Sequence, residues 1–169
     1  AALETAHGAK GRVEPVPTDG DYSIFIDYAV TPDAIENVLT TLRGIAPKRL
    51  VMLFGAGGDR DRKKRPIMGK LSADIADFVI VTSDNPRTED PMSIIEEILP
   101  GVRAGKAPYK VICDRPEAIR WAIDHHEPGD VILLCGKGHE DYQIIGHEKI
   151  HMDEREIVAD YLAERAKRT

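Results

Sequence analysis

The chain has 169 residues, 42% of them hydrophobic and 31% charged, with a formal net charge of −6 and a pI near 5.5. That length suits one domain with a real core, and an acidic chain with 5% aromatics is a poor stacking platform or basic face for nucleic acid. No apolar run approaches the ~18 residues of a membrane span and no segment reads as a signal peptide; Cys113 and Cys135 lie in apolar runs without a C-x-x-C, so a cytoplasmic protein with reduced, buried thiols is expected.

Ala1–Thr5 have helix-forming composition but no start signal, and read as the tail of something longer. Strands are expected over Tyr22–Asp27, Arg49–Phe54, Phe78–Thr82, Lys110–Asp114 and Asp130–Cys135. Each is apolar on both parities, as strands covered on both faces are. Helical spacing separates them. Ile35, Val38, Leu39 and Leu42 form one stripe behind a Thr31 N-cap and Pro32, and further helices fall near Ile67–Ala76, Pro91–Leu99 and Pro116–His126. The alternation predicts an α/β fold, a Rossmann-like and mostly parallel sheet flanked by helices with right-handed crossovers. After Gly136 the pattern changes to a C-terminal β-hairpin, Tyr142–Ile145 and Lys149–Met152 turning at Gly146-His147, and a last helix near Glu154–Lys167.

Chemistry-bearing residues collect where strands stop. Asp27, at the first strand's end, suits a ribose hydroxyl or simply a turn. The second strand runs into Phe54-Gly55-Ala56-Gly57-Gly58-Asp59-Arg60-Asp61-Arg62-Lys63-Lys64-Arg65-Pro66. Its glycines let backbone N–H groups approach a ligand, and its cations make either a small-anion site or a solvated charged loop. Arg60 stands where a dinucleotide fingerprint needs its third glycine. The third strand ends in Ser83-Asp84-Asn85-Pro86-Arg87. Pro86 cannot donate to a ladder, so this segment leaves the sheet as a loop. Arg87 offers a fork for a carboxylate or phosphate and Asn85 both donates and accepts, a pair able to read a small zwitterion. The fifth strand ends in Gly136-Lys137-Gly138-His139-Glu140-Asp141, in which Glu140 suits an ammonium and His139 a base or a solvated ring.

Two familiar patterns fail. Lys70, Lys106 and Lys137 follow glycines, but Leu71, Ala107 and Gly138 come next, so there is no P-loop to hold a triphosphate. His147-Glu148-Lys149-Ile150-His151 matches H-E-x-x-H, which binds zinc only on a helix; in a strand its histidines are about 13 Å apart.

Gly11-Arg12-Val13-Glu14, Asp27-Tyr28-Ala29-Val30-Thr31-Pro32-Asp33, the Phe54–Pro66 loop, Asp84-Asn85-Pro86-Arg87 and Gly136-Lys137-Gly138-His139-Glu140-Asp141-Tyr142-Gln143, in this order, resemble the C-terminal domain of the Mur ligases, of the kind that adds meso-diaminopimelate to UDP-N-acetylmuramoyl-L-alanyl-D-glutamate. The resemblance runs from Gly11 through Asp153-Glu154-Arg155-Glu156. It implies that residues 1–10 end a linker or preceding domain and that 11–169 form the amino-acid-binding domain. It implies a three-domain, cytoplasmic peptidoglycan-synthesis enzyme whose other domains bind the UDP-sugar and, through a P-loop, ATP with Mg²⁺, and whose acyl phosphate on D-glutamate is attacked by the amine of diaminopimelate. It places the diaminopimelate site on Arg60, Asp84, Asn85, Pro86, Arg87, Gly136 and Glu140, and nucleotide contacts on Arg12 and Asp27, with no metal or catalytic residue in this chain, no nucleic acid and no membrane. Two arginines, one carboxylate and an amide complement a doubly zwitterionic ligand, whereas lysine would leave Arg87 unpaired. The family commonly has His where this chain has Val30, which cannot hydrogen-bond.

On this reading the chain by itself carries a substrate site and almost no activity. A stand-alone module that senses diaminopimelate or a peptidoglycan precursor is the alternative. A nucleic-acid surface on the Arg60–Arg65 cluster is a third, which weak, salt-insensitive DNA binding would discard.

Overall fold

The structure is a computed structural model that describes residues 9–45 and 47–169; the expectation for Ala1–Thr5 lies outside the described residues. Its strands are β1 (Glu14–Val16), β2 (Tyr22–Asp27), β3 (Arg49–Phe54), β4 (Phe78–Val81), β5 (Tyr109–Val111), β6 (Asp130–Cys135), β7 (Tyr142–Ile145) and β8 (Glu148–His151). Its helices are α1 (Pro32–Arg43), α2 (Lys64–Ile75), α3 (Pro91–Ala104), α4 (Arg115–Asp124) and α5 (Glu154–Arg168). Six strands form one sheet in the order β1-β2-β6-β3-β4-β5, parallel except for β1, and β7 with β8 makes a separate antiparallel hairpin.

The doubly apolar strands bury both faces, as their composition predicts. On β3, Leu50, Met52 and Phe54 join a core with Leu39 of α1, Met68 of α2 and Ile95 of α3. Val51 and Leu53 join a second core with Ile119 and Ile123 of α4 and Val158 of α5. β6 divides the same way: Leu133 and Cys135 to the first, Ile132 and Leu134 to the second. The loops after β3 and β4 therefore leave toward one layer of helices, while the chain after β6 ends in the other. That divergence opens a crevice at the strands' carboxyl ends.

Helix starts follow local chemistry. Thr31, Asp90, Asp114 and Asp153 cap α1, α3, α4 and α5 with side-chain oxygens. β5 spans Tyr109–Val111 rather than Lys110–Asp114 and α4 ends at Asp124 rather than His126, and further departures concern α3, α2 and β1. α3 continues through Pro100 because α2 presses on it: a Cβ on Gly101 would lie 1.8 Å from the Pro66 carbonyl oxygen and one on Gly69 2.5 Å from that of Ile98. Tertiary packing outweighs the proline there. α2 starts at Lys64, before Pro66 rather than after it, with no side-chain cap. β1 was not expected: three residues with two prolines nearby carry no strand pattern, yet they pair with β2 at its free edge.

Arg115, at the start of α4, is wholly buried. Its Nε donates to Glu154 Oε1 at 2.6 Å, its Nη1 to the Ser83 carbonyl at 3.0 Å and its Nη2 to the Cys135 carbonyl at 2.8 Å. One guanidinium thus joins the ends of β4 and β6 to α4 and α5. Arg115→Met leaves the buried Glu154 carboxylate and two carbonyls unpaired, and urea denaturation should show a loss of about 3–5 kcal/mol. Arg115→Met with Glu154→Leu, which removes both charges, should cost less than the single change.

Candidate functional site

A cleft of about 380 Å³ lies over the carboxyl ends of β2, β3, β4 and β6. The β2 loop lends it Tyr28, Val30 and Thr31, the β3 loop Gly55 to Gly57, Arg60 and Asp61, and α2 Lys64, Arg65 and Met68. The β4 loop adds Asp84, Asn85 and Arg87, and the β6 loop Gly136 and Glu140. Six residues of the expected diaminopimelate set, Arg60, Asp84, Asn85, Arg87, Gly136 and Glu140, therefore share one cavity although 80 positions separate the first from the last. Pro86, Arg12 and Asp27 are not among its lining residues.

Their environments differ. Arg60 is exposed, its Nη1 returning only to the Asp59 carbonyl at 3.0 Å. Arg87 is half-buried and donates from Nη1 to the Gly58 carbonyl at 3.0 Å. Its backbone holds φ 54°, a left-handed conformation that costs an arginine about 1–2 kcal/mol. The hairpin enforces it: Arg87 N–H donates to the Ile144 carbonyl at 3.0 Å and Gly146 N–H to the Arg87 carbonyl at 2.7 Å. Gln143 Nε2 reaches Ser83 Oγ and the Asp84 carbonyl at 2.9 and 2.6 Å. Backbone that a β-sheet would satisfy is here satisfied by β7, so the Asp84–Arg87 loop is built into the fold. Gly136 has φ 114°, and a Cβ there would meet Asp84 Oδ2 at 2.6 Å, so only glycine lets these two strand ends close together.

The glycine-rich loop departs from its expected role. Gly58 is needed because the neighbouring loop is close: a Cβ would lie 1.8 Å from the Pro86 carbonyl oxygen, and Gly58 N–H donates to the Asn85 carbonyl at 2.8 Å. That amide meets protein, not a ligand. The basic run is also largely paired. Arg65 is buried and binds Glu89, Glu97 and the Gly57 carbonyl, and Arg62 binds Glu97. Arg60 and Lys64 remain on the cleft. So divided, the Arg60–Arg65 cluster is not a continuous basic face.

Asn85 has fewer free valences than its type suggests. Its Oδ1 accepts from Lys137 Nζ at 2.6 Å and from Ile144 N–H at 2.9 Å, and its Nδ2 donates to Glu140 Oε2 at 3.2 Å. Lys137, passed over as the residue of a failed P-loop, is wholly buried beneath the cleft. Arg115 and Lys137 escape a sequence reading because their positions imply exposure; the only local signal was a lysine between glycines at a strand end. Asp27 Oδ2 accepts from Val13 N–H at 2.8 Å, holding β1, while burial raises its carboxyl above the ordinary range against the pull of that N–H and of Arg12. Arg12 is exposed. His139 is exposed too, its ring 5.0 Å from that of Tyr28. Val30 presents an apolar, 43% exposed side chain to the cleft.

The remaining expectations are quickly placed. Residues 147–151 form the hairpin's turn and β8, not a helix, and among the described residues no group of three or more His, Cys, Asp or Glu can hold a metal. Cys135 is buried, which pushes its thiol up, whereas Cys113 is only half-buried, and both are free. Among the described residues no helix is long and apolar enough to cross a membrane.

Glu89 stitches the β3 and β4 loops, taking Arg65 on both oxygens and Asp59 N–H at 2.7 Å. The Arg65 guanidinium holds its carboxyl down at about 2 against an ordinary 4.5. A depressed carboxylate stabilises the fold above the unfolded value and stops doing so as pH falls through the folded one. Stability should therefore decline between pH 4.5 and 2, and Glu89→Gln should flatten part of that slope in urea melts recorded across the window.

The model of the family described as Mur ligase, glutamate ligase domain, matches residues 11–138. The UDP-N-acetylmuramoyl-L-alanyl-D-glutamate–2,6-diaminopimelate ligase of Caldanaerobacter subterraneus subsp. tengcongensis is 54% identical over 158 residues, 94% of this chain and 33% of that protein. The protein of the same name from Trichormus variabilis is 54% identical over 168 residues, covering 98% of this chain and 34% of its own length. A solved structure of a ligase with that name superposes with a TM-score of 0.86 at 40% identity, over 95% of this chain and 33% of that one. The chain thus spans about a third of the length of the relatives it matches. With a crevice lined by four of the five motifs that carried the resemblance, and with matches of this extent, the chain belongs to the Mur ligase family, as its glutamate ligase domain.

Proposed function

We propose that this chain is the amino-acid-binding domain of an ATP-dependent ligase that joins meso-diaminopimelate to UDP-N-acetylmuramoyl-L-alanyl-D-glutamate in peptidoglycan synthesis. The observation that carries the reading is the meeting of Arg60, Arg87, Asp84, Asn85 and Glu140 in one cleft. Diaminopimelate has two carboxylates and two ammonium groups on a short aliphatic chain. Arg87 and Arg60 would take carboxylates, Glu140 and Asp84 an ammonium, while Ala56 and Met68 offer apolar wall to the methylenes. The names of the relatives support the same substrate.

ATP with Mg²⁺, held mainly by the rest of such an enzyme, would supply activation of the D-glutamate carboxylate as an acyl phosphate. The glycine-rich loop here does not suit a triphosphate, since its Gly58 amide is already bonded to Asn85. This domain's part is to bind the incoming amino acid, strip its water and hold the attacking nitrogen in line. The amine, having lost a proton, forms the C–N bond as the C–O bond to phosphate breaks. Arg12, exposed near Asp27, would contact a nucleotide carried by a neighbouring domain on closure.

Calorimetric titration of this chain should show a preference for meso-diaminopimelate over L-lysine, and ATP hydrolysis by the chain alone should be absent. Equal affinity for the two amino acids, or a preference for lysine, would refute the assignment. In a complete ligase containing this domain, Arg87→Ala should reduce the discrimination between them by about 10- to 100-fold, because the distal carboxylate then has no partner to lose.

A further inference from the structure

Lys137 makes three contacts, all inside the protein. Its Nζ lies 2.6 Å from Glu140 Oε2, 2.6 Å from Asn85 Oδ1 and 5.2 Å from the centre of the Tyr142 ring. An ammonium has three donors and no acceptor, and this one is fully withdrawn from water. It is unavailable to a phosphate, which is what a lysine in a glycine-rich loop ordinarily serves.

Its effect falls on two residues of the cleft. Asn85 Oδ1 receives both Lys137 and the Ile144 N–H, so turning the amide over would set its NH₂ against two donors. Nδ2 is thereby committed to the Glu140 side, with one hydrogen on Glu140 Oε2 and one left over. Both the lysine and the amide meet Glu140 at Oε2, and neither engages Oε1. Asn85 and Glu140, both lining the cleft, thus keep one donor hydrogen and one carboxylate oxygen that Lys137 and their mutual bond leave unused. The carboxylate and ammonium of an amino-acid head group require that pair.

We propose that Lys137 is a positioning residue that sets the polarity of the cleft floor, orienting the Asn85 amide toward a ligand carboxylate and the Glu140 carboxylate toward a ligand ammonium. The inference rests on the reading of the cleft as a diaminopimelate site. Without Lys137, Glu140 loses its buried counter-ion and Asn85 one of the two donors that fix its amide, so both side chains rearrange while the sheet around them stands.

The test uses this chain with Lys137→Met and, separately, Lys137→Gln. The probes are meso-diaminopimelate and pimelate, which has the same carbon chain and carboxylates but no ammonium. In ligand-free crystal structures of the variants, Asn85 Nδ2 and Glu140 Oε2 should part beyond hydrogen-bonding distance. By calorimetry the preference for meso-diaminopimelate over pimelate should fall about 10- to 100-fold, the worth of a charge-assisted hydrogen bond. Unmoved Asn85 and Glu140, or equal weakening of both ligands with their ratio intact, overturns the proposal; the second result is what a purely structural lysine gives. If the unaltered chain binds neither ligand, the diaminopimelate reading fails, and the ligand-free structures alone decide whether Lys137 orders its two neighbours. Should the Met variant not fold, the Gln variant decides by the calorimetric ratio, which should fall in the same way because Gln keeps a donor for Asn85 but no charge for Glu140, and an intact ratio overturns the proposal.

Discussion

The guanidinium of Arg115, wholly buried at the point where β4 and β6 end, is the constraint around which the site is organised. The Ser83 and Cys135 carbonyls it binds are the last backbone acceptors before two loops diverge. Left unmet in the interior, each carbonyl and the Glu154 carboxylate would carry the penalty of an unpaired buried group. Meeting all three with one rigid fork fixes the spacing of the loops. The same residue ties α4 to α5 through Glu154, so the second helical layer and the floor of the cleft share one buried guanidinium.

Above that anchor the loops hold each other. Gly58 donates to Asn85, Arg87 donates to Gly58, and Asp59 and Glu89 tie the remaining ends. The hairpin completes the arrangement by accepting and donating to Arg87 as a sheet neighbour would. A left-handed arginine persists only where its surroundings over-determine it, and here two backbone hydrogen bonds to the hairpin and one side-chain bond to Gly58 do so. The cleft is consequently pre-organised, with charged groups fixed before any ligand arrives. It is not uniformly so: Arg60 remains exposed, with only its neighbour's carbonyl for a partner.

Much of this was legible in the residues. The five parallel strands follow from apolar runs too continuous for a one-faced sheet, and capped stripes such as Thr31 through Leu42 place the helices between them. Proline after Asn85 marks a strand leaving the sheet. β1 was not legible, because an edge strand of three residues has no periodicity to detect. The length of α3 was hidden because Pro100 reads as a stop, whereas Gly69 and Gly101 reveal their purpose only when two helices meet. The burial of Arg65, Arg115 and Lys137 was not legible, since a charge is buried only when partners converge on it in space, and those partners lie between 3 and 52 positions away.

Which chemistry is present, and at which strand ends, can be read from the residues alone, because hydrophobic period, proline and glycine act over a few residues. Kinship can be read there too, through five motifs in order. Which cations stay free and which are consumed is settled by the folded chain. It also decides that the Gly58 amide serves a neighbouring loop, and that Asn85 and Glu140 sit over a hidden ammonium. Pairing and burial are properties of distance in space, and residues 57, 65, 89, 115, 137 and 154 acquire neighbours only when the sheet closes their separation.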